Sequence, residues 1–353
     1  MAYTTIDDPS AHFHIQLYTG SGSSGNSITN DANAGDFKPD WLWIKPRSIT
    51  DNHVVFDSSR GQDRQLKPNG TDAEDTHSPA RITFETDGFD IDTTDQNYNQ
   101  SSATYIAWQW KVDGGTRTTF TESSNNPGGG RQVNTTAGFS IIDYTGTGAA
   151  GTIAHGLGAV PQWMLIKGRE HVGGWINYHH KVASDPETDI LELQSTAATY
   201  DNSTYWNDTA PTSTNFTVNT SNDVNKDGDG LIGYIFTEIK GYSKFGKYTG
   251  TGTNDGPFIY TGFKPAFVLK KGTGSGDWHI TDNKQNSSNP HDNALRPNVN
   301  NGTETGNTLD FYSNGFKIRT TGGSWNSSGN VYVYMAFAEH PFVSSKGVPV
   351  TAR

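Results

Sequence analysis

The chain contains no cysteine. That excludes disulfides, iron–sulfur clusters, thiolate zinc sites and cysteine nucleophiles together, and leaves the redox compartment open. Basic charge is scarce: 26 Lys and Arg stand against 37 Asp and Glu, a formal net charge of −11, with no Lys/Arg run longer than two residues. Nucleic acid is therefore not an expected partner, because phosphate binding needs a basic footprint. No window approaches the length of about 18 apolar residues that a helical membrane span needs, so no membrane insertion is expected. The opening MAYTTIDDPSAHF has neither a basic n-region nor an apolar h-region, and no signal peptide is expected. Apolar residues make up only 32%, which taken alone suggests disorder, but 9 Trp, 15 Tyr and 17 Phe are spread along the chain. Disordered chains are poor in aromatics, so these rings argue for packed cores. With 40 Gly, 15 Pro, many Thr, Asn and Ser and few Leu and Ala, the expected class is all-β with long polar loops.

Five short motifs recur in the same order three times. A strand ending in Tyr-Thr-Gly appears at Tyr18, Tyr144 and Tyr248. A proline-led strand ending in lysine follows as FKPDWLWIK, AVPQWMLIK and FKPAFVLKK, then HVVFD, WINYH and WHITD from His53, Trp175 and Trp278. A turn carrying Phe89, Phe216 or Phe316 comes next, and each copy closes on a small-then-aromatic pair at Ala107-Trp108, Gly233-Tyr234 and Ala336-Phe337. The Tyr-Thr-Gly tyrosines are spaced 126 and 104 residues apart. Near-constant spacing of ordered motifs marks tandem repeats.

A unit of about 100 residues has the size of a small β-sandwich, and alternation such as Trp41, Trp43 and Lys45 against Leu42 and Ile44 sets two strand faces. The expected architecture is three tandem β-sandwich modules of jelly-roll or lectin-like type: residues 1–113, 136–241 and 242–343. Residues 114–135, rich in Gly, Ser and Asn, read as a loose linker, 344–353 as a C-terminal tail, and the joint near residue 241 as tight.

Motifs that carry chemistry are few. GSGSSG at Gly20–Gly25 and GTGAAG at Gly146–Gly151 match a dinucleotide fingerprint in letters alone, since no amphipathic helix follows to hold a pyrophosphate. Asp223, Asn225, Asp227 and Asp229, with Gly228 at position 6, imitate the first half of a calcium loop, but position 12 is Tyr234 where a bidentate Glu is required. These four residues are the metal candidates, and otherwise no cofactor is expected. His12 and His14 share a strand face and could pair at a metal, although surface or hydrogen-bonded roles account for them. Asp90/Asp92 and Glu187/Asp189/Glu192 are the carboxylate groups a glycosidase would need, and no nucleophile elbow or triad assembles. The chain is therefore expected not to be an enzyme. Trp206 in TYWNDT and Trp325 in GGSWNSS sit in polar loops before a final strand. An exposed Trp there suits stacking on a sugar ring, with core-lid packing as the alternative, and these two are the glycan-contact candidates.

AHGLGAVPQWMLIKGR with WINYHH, GYSKFGKYTGTG, YTGFKPAFVLKK with WHITDNK, and YMAFAEHPFVSSKGVPVTAR resemble repeat domains in virion structural proteins of marine tailed bacteriophages, over essentially the whole chain. The resemblance implies a non-enzymatic, tail-fibre-like virion component assembled in the host cytoplasm. An appendage of this kind is expected to have other tail or capsid proteins and further copies of itself in a homo-oligomer as partners, and the loops of Trp206 and Trp325 are its expected contacts to host-surface polysaccharide. Capsid decoration that stabilises the head shell is the alternative, and a polysaccharide depolymerase is the third reading.

Overall fold

A computed structural model describes residues 3–31, 37–306 and 309–350. The chain is all-β, with only single-turn helices among the strands. Repeat 1 carries β1 (Phe13–Thr19), β2 (Asn26–Ile28), β3 (Trp41–Pro46), β4 (Val54–Asp57), β5 (Gly61–Leu66), β6 (Asp75–Thr76), β7 (Ile82–Phe84), β8 (Phe89–Ile91) and β9 (Thr104–Trp110). Repeat 2 carries β10 (Thr118–Phe120), β11 (Gly129–Asn134), β12 (Phe139–Thr145), β13 (Gly151–Ala154), β14 (Trp163–Gly168), β15 (Trp175–His179), β16 (Asp189–Glu192) and β17 (Tyr200–Asp201). The turn α1 (Ser203–Trp206), β18 (Asn215–Val218), the turn α2 (Asn222–Asn225) and β19 (Gly230–Phe236) complete it. Repeat 3 carries β20 (Ser243–Thr249), β21 (Phe258–Tyr260), β22 (Phe263–Gly272), β23 (His279–Asp282), β24 (Leu309–Tyr312), β25 (Gly315–Ile318), the turn α3 (Gly323–Asn326) and β26 (Val331–Pro341).

Each repeat builds one large and one small antiparallel sheet. The large sheets run β1-β9-β3-β4-β5-β6, β10-β11-β12-β19-β14-β15-β16-β17 and β20-β26-β22-β23. The small ones are β2-β8-β7, β13-β18 and β21-β25-β24. A separate apolar cluster fills each repeat, joining residues of its two sheets: Leu42, Ile44 and Phe89 in repeat 1, Met164, Ile166 and Phe216 in repeat 2, Val268 and Phe316 in repeat 3. These are the alternate residues of the proline-led strands, as their period of two requires.

The opposite faces of the large sheets are also apolar, and they pack against one another. Phe13, Trp41, Trp43, Trp108 and Trp110 of repeat 1 share one cluster with Phe139, Trp163, Trp175, Tyr234 and Phe236 of repeat 2 and Phe245, Phe267, Trp278 and Phe337 of repeat 3. Ring contacts cross every boundary: Trp41 stacks on Tyr234 at 4.6 Å, Phe236 meets Phe245 at 6.0 Å, and Phe13 stacks on Phe337 at 5.1 Å. The largest core of the protein therefore lies between the repeats.

The contacts around that core are cyclic. His53 of repeat 1 bonds the Arg296 carbonyl of repeat 3 at 3.0 Å. The Trp278 indole of repeat 3 donates to the Glu192 carbonyl of repeat 2 at 2.9 Å, and the Trp175 indole of repeat 2 donates to the Lys67 carbonyl of repeat 1 at 2.9 Å. Backbone amides repeat the cycle, from Asp51 to Asn300, Gly276 to Thr196 and Gly173 to Thr71. The same surface of each repeat thus meets the same surface of its neighbour, head to tail, in a closed threefold-like ring. A buried ion network adds to one seam. Arg60 pairs with Asp57 and Glu74, Glu74 pairs with Arg169, and the Tyr234 hydroxyl donates to Asp57 at 2.7 Å. Burial opposes ionisation of Glu74, but the Arg169 hydrogen bond and the Arg60 charge outweigh it and hold its carboxyl below the usual range.

Two sequence expectations change. Residues 114–135 are not a loose linker: they supply β10 and β11, and β11 extends the large sheet of repeat 2 by pairing along β12 from Gly129–Tyr144 to Asn134–Phe139. Their Gly- and Asn-rich composition suits the tight turns and close approaches of that hairpin. A Cβ on Gly129 would stand 2.1 Å from the Asp143 carbonyl oxygen. The second change is one of register. Leu165 pairs with Tyr234 and Leu269 with Met335, so the repeat-3 counterpart of Gly233-Tyr234 is Tyr334-Met335, not Ala336-Phe337. A shift of two residues leaves every side chain on its original face, so the alternating pattern reads the same in either register.

Candidate functional site

The Tyr-Thr-Gly motif, with its nucleotide-like glycines, is a structural lock present in all repeats. Tyr18, Tyr144 and Tyr248 donate their hydroxyls to the carbonyls of Tyr98, Val224 and Trp325, at 2.9, 2.6 and 2.9 Å. The next residue in each case is a buried asparagine: Asn99, Asn225 or Asn326. Its amide oxygen accepts the backbone N–H of Ser21, Thr147 or Thr251. Its NH2 donates to two carbonyls: Ser23 and Thr93, Ala149 and Asn219, or Thr253 and Thr320. Gly20, Gly146 and Gly250 let the loop approach, since a Cβ there would lie 2.2 Å from the carbonyl oxygens of Gln100, Lys226 and Ser327. The fingerprint glycines are thus accounted for by packing.

This lock also decides where the calcium candidates go. Asn225 spends its amide on the lock. Asp223 accepts the Gly174 N–H at 2.8 Å, and Asp229 pairs with Lys226 at 2.7 Å and His171 at 3.0 Å. Asp227 is exposed at the turn. Among the described residues no group of three or more His, Asp and Glu is placed to hold a metal ion.

The two tryptophans proposed for glycan contact are buried, each 1% exposed. Trp206 lies on α1, its ring 6.1 Å from Tyr178 and its N–H donating to the Asp189 carbonyl at 3.3 Å. Trp325 lies on α3, with the Lys270 amine 4.1 Å above its ring and His279 at 4.9 Å. Polar neighbours in the sequence suggested exposure, but in each case they form a single helical turn that folds the indole inward. The two are not counterparts either: α3 matches α2 through the asparagine lock, whereas α1 precedes β18. Burial, with help from the Lys271 charge, drives the Lys270 amine well below its ordinary pKa.

The exposed aromatics lie elsewhere, on the outer face of the small sheet of repeat 3. Phe258 and Tyr260 on β21 and Tyr312 on β24 are 46%, 54% and 38% exposed. Ile259 between them points into the core, as alternation demands. Tyr260 and Tyr312 both pair in register with Gly315 of the central strand, and the Phe258 ring lies over that glycine, where a Cβ would stand 2.9 Å from its Cζ. That glycine is required: a Cβ would stand 2.1 Å from the Ile259 carbonyl oxygen. Phe258 and Tyr312 meet edge to face at 6.0 Å. Charged groups line the same face: Lys317 pairs with Asp255 at 2.6 Å, Arg319 approaches Asp310 at 3.4 Å, and the Tyr312 hydroxyl donates to Asp310 at 3.2 Å. The register puts Thr152 and Ala154 of β13 in repeat 2 where repeat 3 has Phe258 and Tyr260. The alternation in FIY signals a strand, but which of its faces the second sheet would cover is not written in those three letters.

A separate cleft of about 270 Å³ opens at the seam of repeats 1 and 3, and Ile15, Ala338, His14, Asp31, Asn283 and Lys284 are among the residues that line it. His12 does not join His14 there; its ring packs on Tyr242 at 6.0 Å. Among the described residues no helix is long and apolar enough to cross a membrane.

The chain belongs to a family described as a domain of unknown function, DUF7483, whose model matches residues 8–341. No curated protein matches it significantly.

Proposed function

We propose that this DUF7483 protein is a non-enzymatic virion component of a tailed phage, an appendage subunit that presents a glycan-binding surface to the host. The observation that carries the glycan part is the exposed triad Phe258, Tyr260 and Tyr312 around Gly315, edged by Asp310, Lys317 and Arg319. Exposed rings stack on the C–H faces of a pyranose while adjacent charged groups bond its hydroxyls. The virion assignment rests on the likeness of the repeats to phage structural proteins. Each glycan contact is weak in isolation, and several copies on one particle raise avidity. Capsid decoration is the second reading, favoured by the shared central core, which makes the three repeats one stiff block suited to bracing a shell.

The glycan reading is tested by titrating the purified chain with host-surface polysaccharide. Tyr260→Ala and Tyr312→Ala are each expected to weaken binding at least about fivefold, since truncating an aromatic anchor of a binding surface costs upward of roughly 1 kcal/mol. Trp206→Phe is expected to leave affinity unchanged. Binding unaffected by both tyrosine changes overturns the site. Antibody–gold labelling of intact virions then separates the two virion readings, with label at the tail for an appendage and over the head for decoration.

A further inference from the structure

The ring contains three equivalent slots, and among the described residues two of them are filled. Each slot lies where the outer edge of a Tyr-Thr-Gly strand faces the loop after the fourth strand of the neighbouring repeat. Ile15, Ile141 and Phe245 mark the same place in β1, β12 and β20, opposite Trp108, Tyr234 and Met335. At β12 the slot holds a strand of the chain itself. Gln132 of β11 pairs with Ile141, is fully buried, and donates to Ser58 and Ser59 of repeat 1 at 3.0 and 2.7 Å. At β20 the slot is plugged by His180 of repeat 2, which bonds the Phe245 carbonyl at 2.8 Å. At β1 the corresponding space is the cleft of about 270 Å³, and Asn283 and Lys284 stand where Ser58 and Ser59 stand in the filled slot.

The β1 edge is set up to accept hydrogen bonds there. Lys111 N–H bonds the His12 carbonyl and Gly20 N–H bonds the Ala103 carbonyl, so even-numbered residues of β1 face β9. Ile15, which lines the cleft, and Leu17, two residues further along the same edge, therefore direct their N–H and C=O groups away from β9. The Leu17 carbonyl is met by the Gln16 side chain at 2.9 Å, and among the described residues nothing bonds the outward groups of Ile15. A buried or half-buried strand edge without a partner is a template for another strand.

We infer that the β1 slot binds an extended strand of a partner polypeptide by β-augmentation, and that this strand resembles β11: glycine-rich, with an amide side chain over Ile15. Main-chain bonds to Ile15 and Leu17 supply the pairing; the NH2 of the amide donates to the buried Asn283 Oδ1, which has no hydrogen-bond partner among the described residues, and its oxygen accepts from the Lys284 ammonium, which otherwise bonds Asp31 at 3.0 Å. The inference does not depend on glycan binding, which concerns a different face.

The probe is a synthetic peptide of residues 127–136 added to the full-length protein, read by amide hydrogen exchange. Exchange at Ile15 and Leu17 is expected to slow at least about tenfold at saturating peptide, as for amides drawn into a ladder. A peptide with proline in place of Gln132 is expected to give no protection, because it removes the N–H aimed at the edge. Asn283→Trp in the protein, which obstructs the cleft, is expected to abolish protection with the melting temperature unchanged. No protection by the parent peptide at millimolar concentration, or equal protection by the proline peptide, overturns the inference. Protection of the same amides on concentrating the protein alone assigns the slot to a second copy and overturns the choice of partner.

Discussion

At the scale of single residues, the asparagine locks and the buried lysines make the sharpest claims. Asn99, Asn225 and Asn326 each hold three backbone groups that are away from water, so truncation strands them all. Asn326→Ala is expected to lower unfolding free energy by about 2–4 kcal/mol, with the same loss for Asn99→Ala, as measured by urea denaturation. A loss under about 0.5 kcal/mol at both would reduce the lock to an ordinary surface turn. Lys45, Lys167 and Lys271 occupy one repeat position, are buried, and among the described residues bond only backbone carbonyls, those of Pro46 and Asn300, Thr71, and Gly272 and Gly274. Burial lowers their pKa values to about 7, about 8 and about 8, with Asp51, Asp223 and Asp277 opposing it. Because the folded values lie below the unfolded one, the unfolded chain binds more protons between about pH 7 and 10. Stability therefore rises with pH across that window, by at most about 1.4 kcal/mol per pH unit for each group. Above pH 10 the trend reverses, since burial raises the pKa of Tyr18, Tyr144 and Tyr248 and only the unfolded chain then ionises them. Melting curves at successive pH values are expected to peak near pH 9–10, and Lys45→Met to flatten the rise. A melting temperature that falls steadily from pH 7 to 9 in both proteins contradicts this account.

At the scale of elements, the hairpin β10–β11 shows what composition conceals. Its glycines, serines and asparagines match those of a flexible tether, yet Gln132 ties it to Ser58, Ser59 and the Gly115 N–H of the preceding repeat. Gln132→Ala is expected to destabilise the fold by about 1–3 kcal/mol by taking the partner from the half-buried Ser59 hydroxyl and the Gly115 N–H, while Ser58 keeps its bond to Asp40, and to open the hairpin to limited proteolysis. Strand identity and strand faces were legible from alternation: Trp41, Trp43 and Lys45 do share a face. Three things were not legible. Alternation cannot register a shift of two residues, cannot show that both faces of a large sheet are covered, and cannot tell an indole folded inward by one helical turn from one in a loop. The misplacement of Trp206 and Trp325 and the omission of Tyr260 and Tyr312 share that cause. Burial on the outer side of a sheet is decided by another part of the chain.

At the scale of the whole molecule, the shared core makes the repeats interdependent. A single cooperative unfolding transition is expected in calorimetry, whereas independent beads would give separable ones. Repeat 2 expressed alone is expected to aggregate, because Trp163, Trp175, Tyr234 and Phe236 would lie on an open face. Breaking the buried network with Glu74→Ala is expected to remove about 1–3 kcal/mol, because Arg169 loses its carboxylate while Arg60 keeps Asp57 and loses only its second partner. The cyclic order has one more consequence. A closed ring of like units has no intrinsic first member, and here the two ends of the described chain meet, with the Ser345 N–H bonded to Asp7 at 2.6 Å. The tight connection near Gly241 that joins repeats 2 and 3 is, in the geometry of the ring, interchangeable with a covalent bridge between residues 3 and 350. Cutting the first and making the second would reorder the gene as 3-1-2 and leave the same object in space.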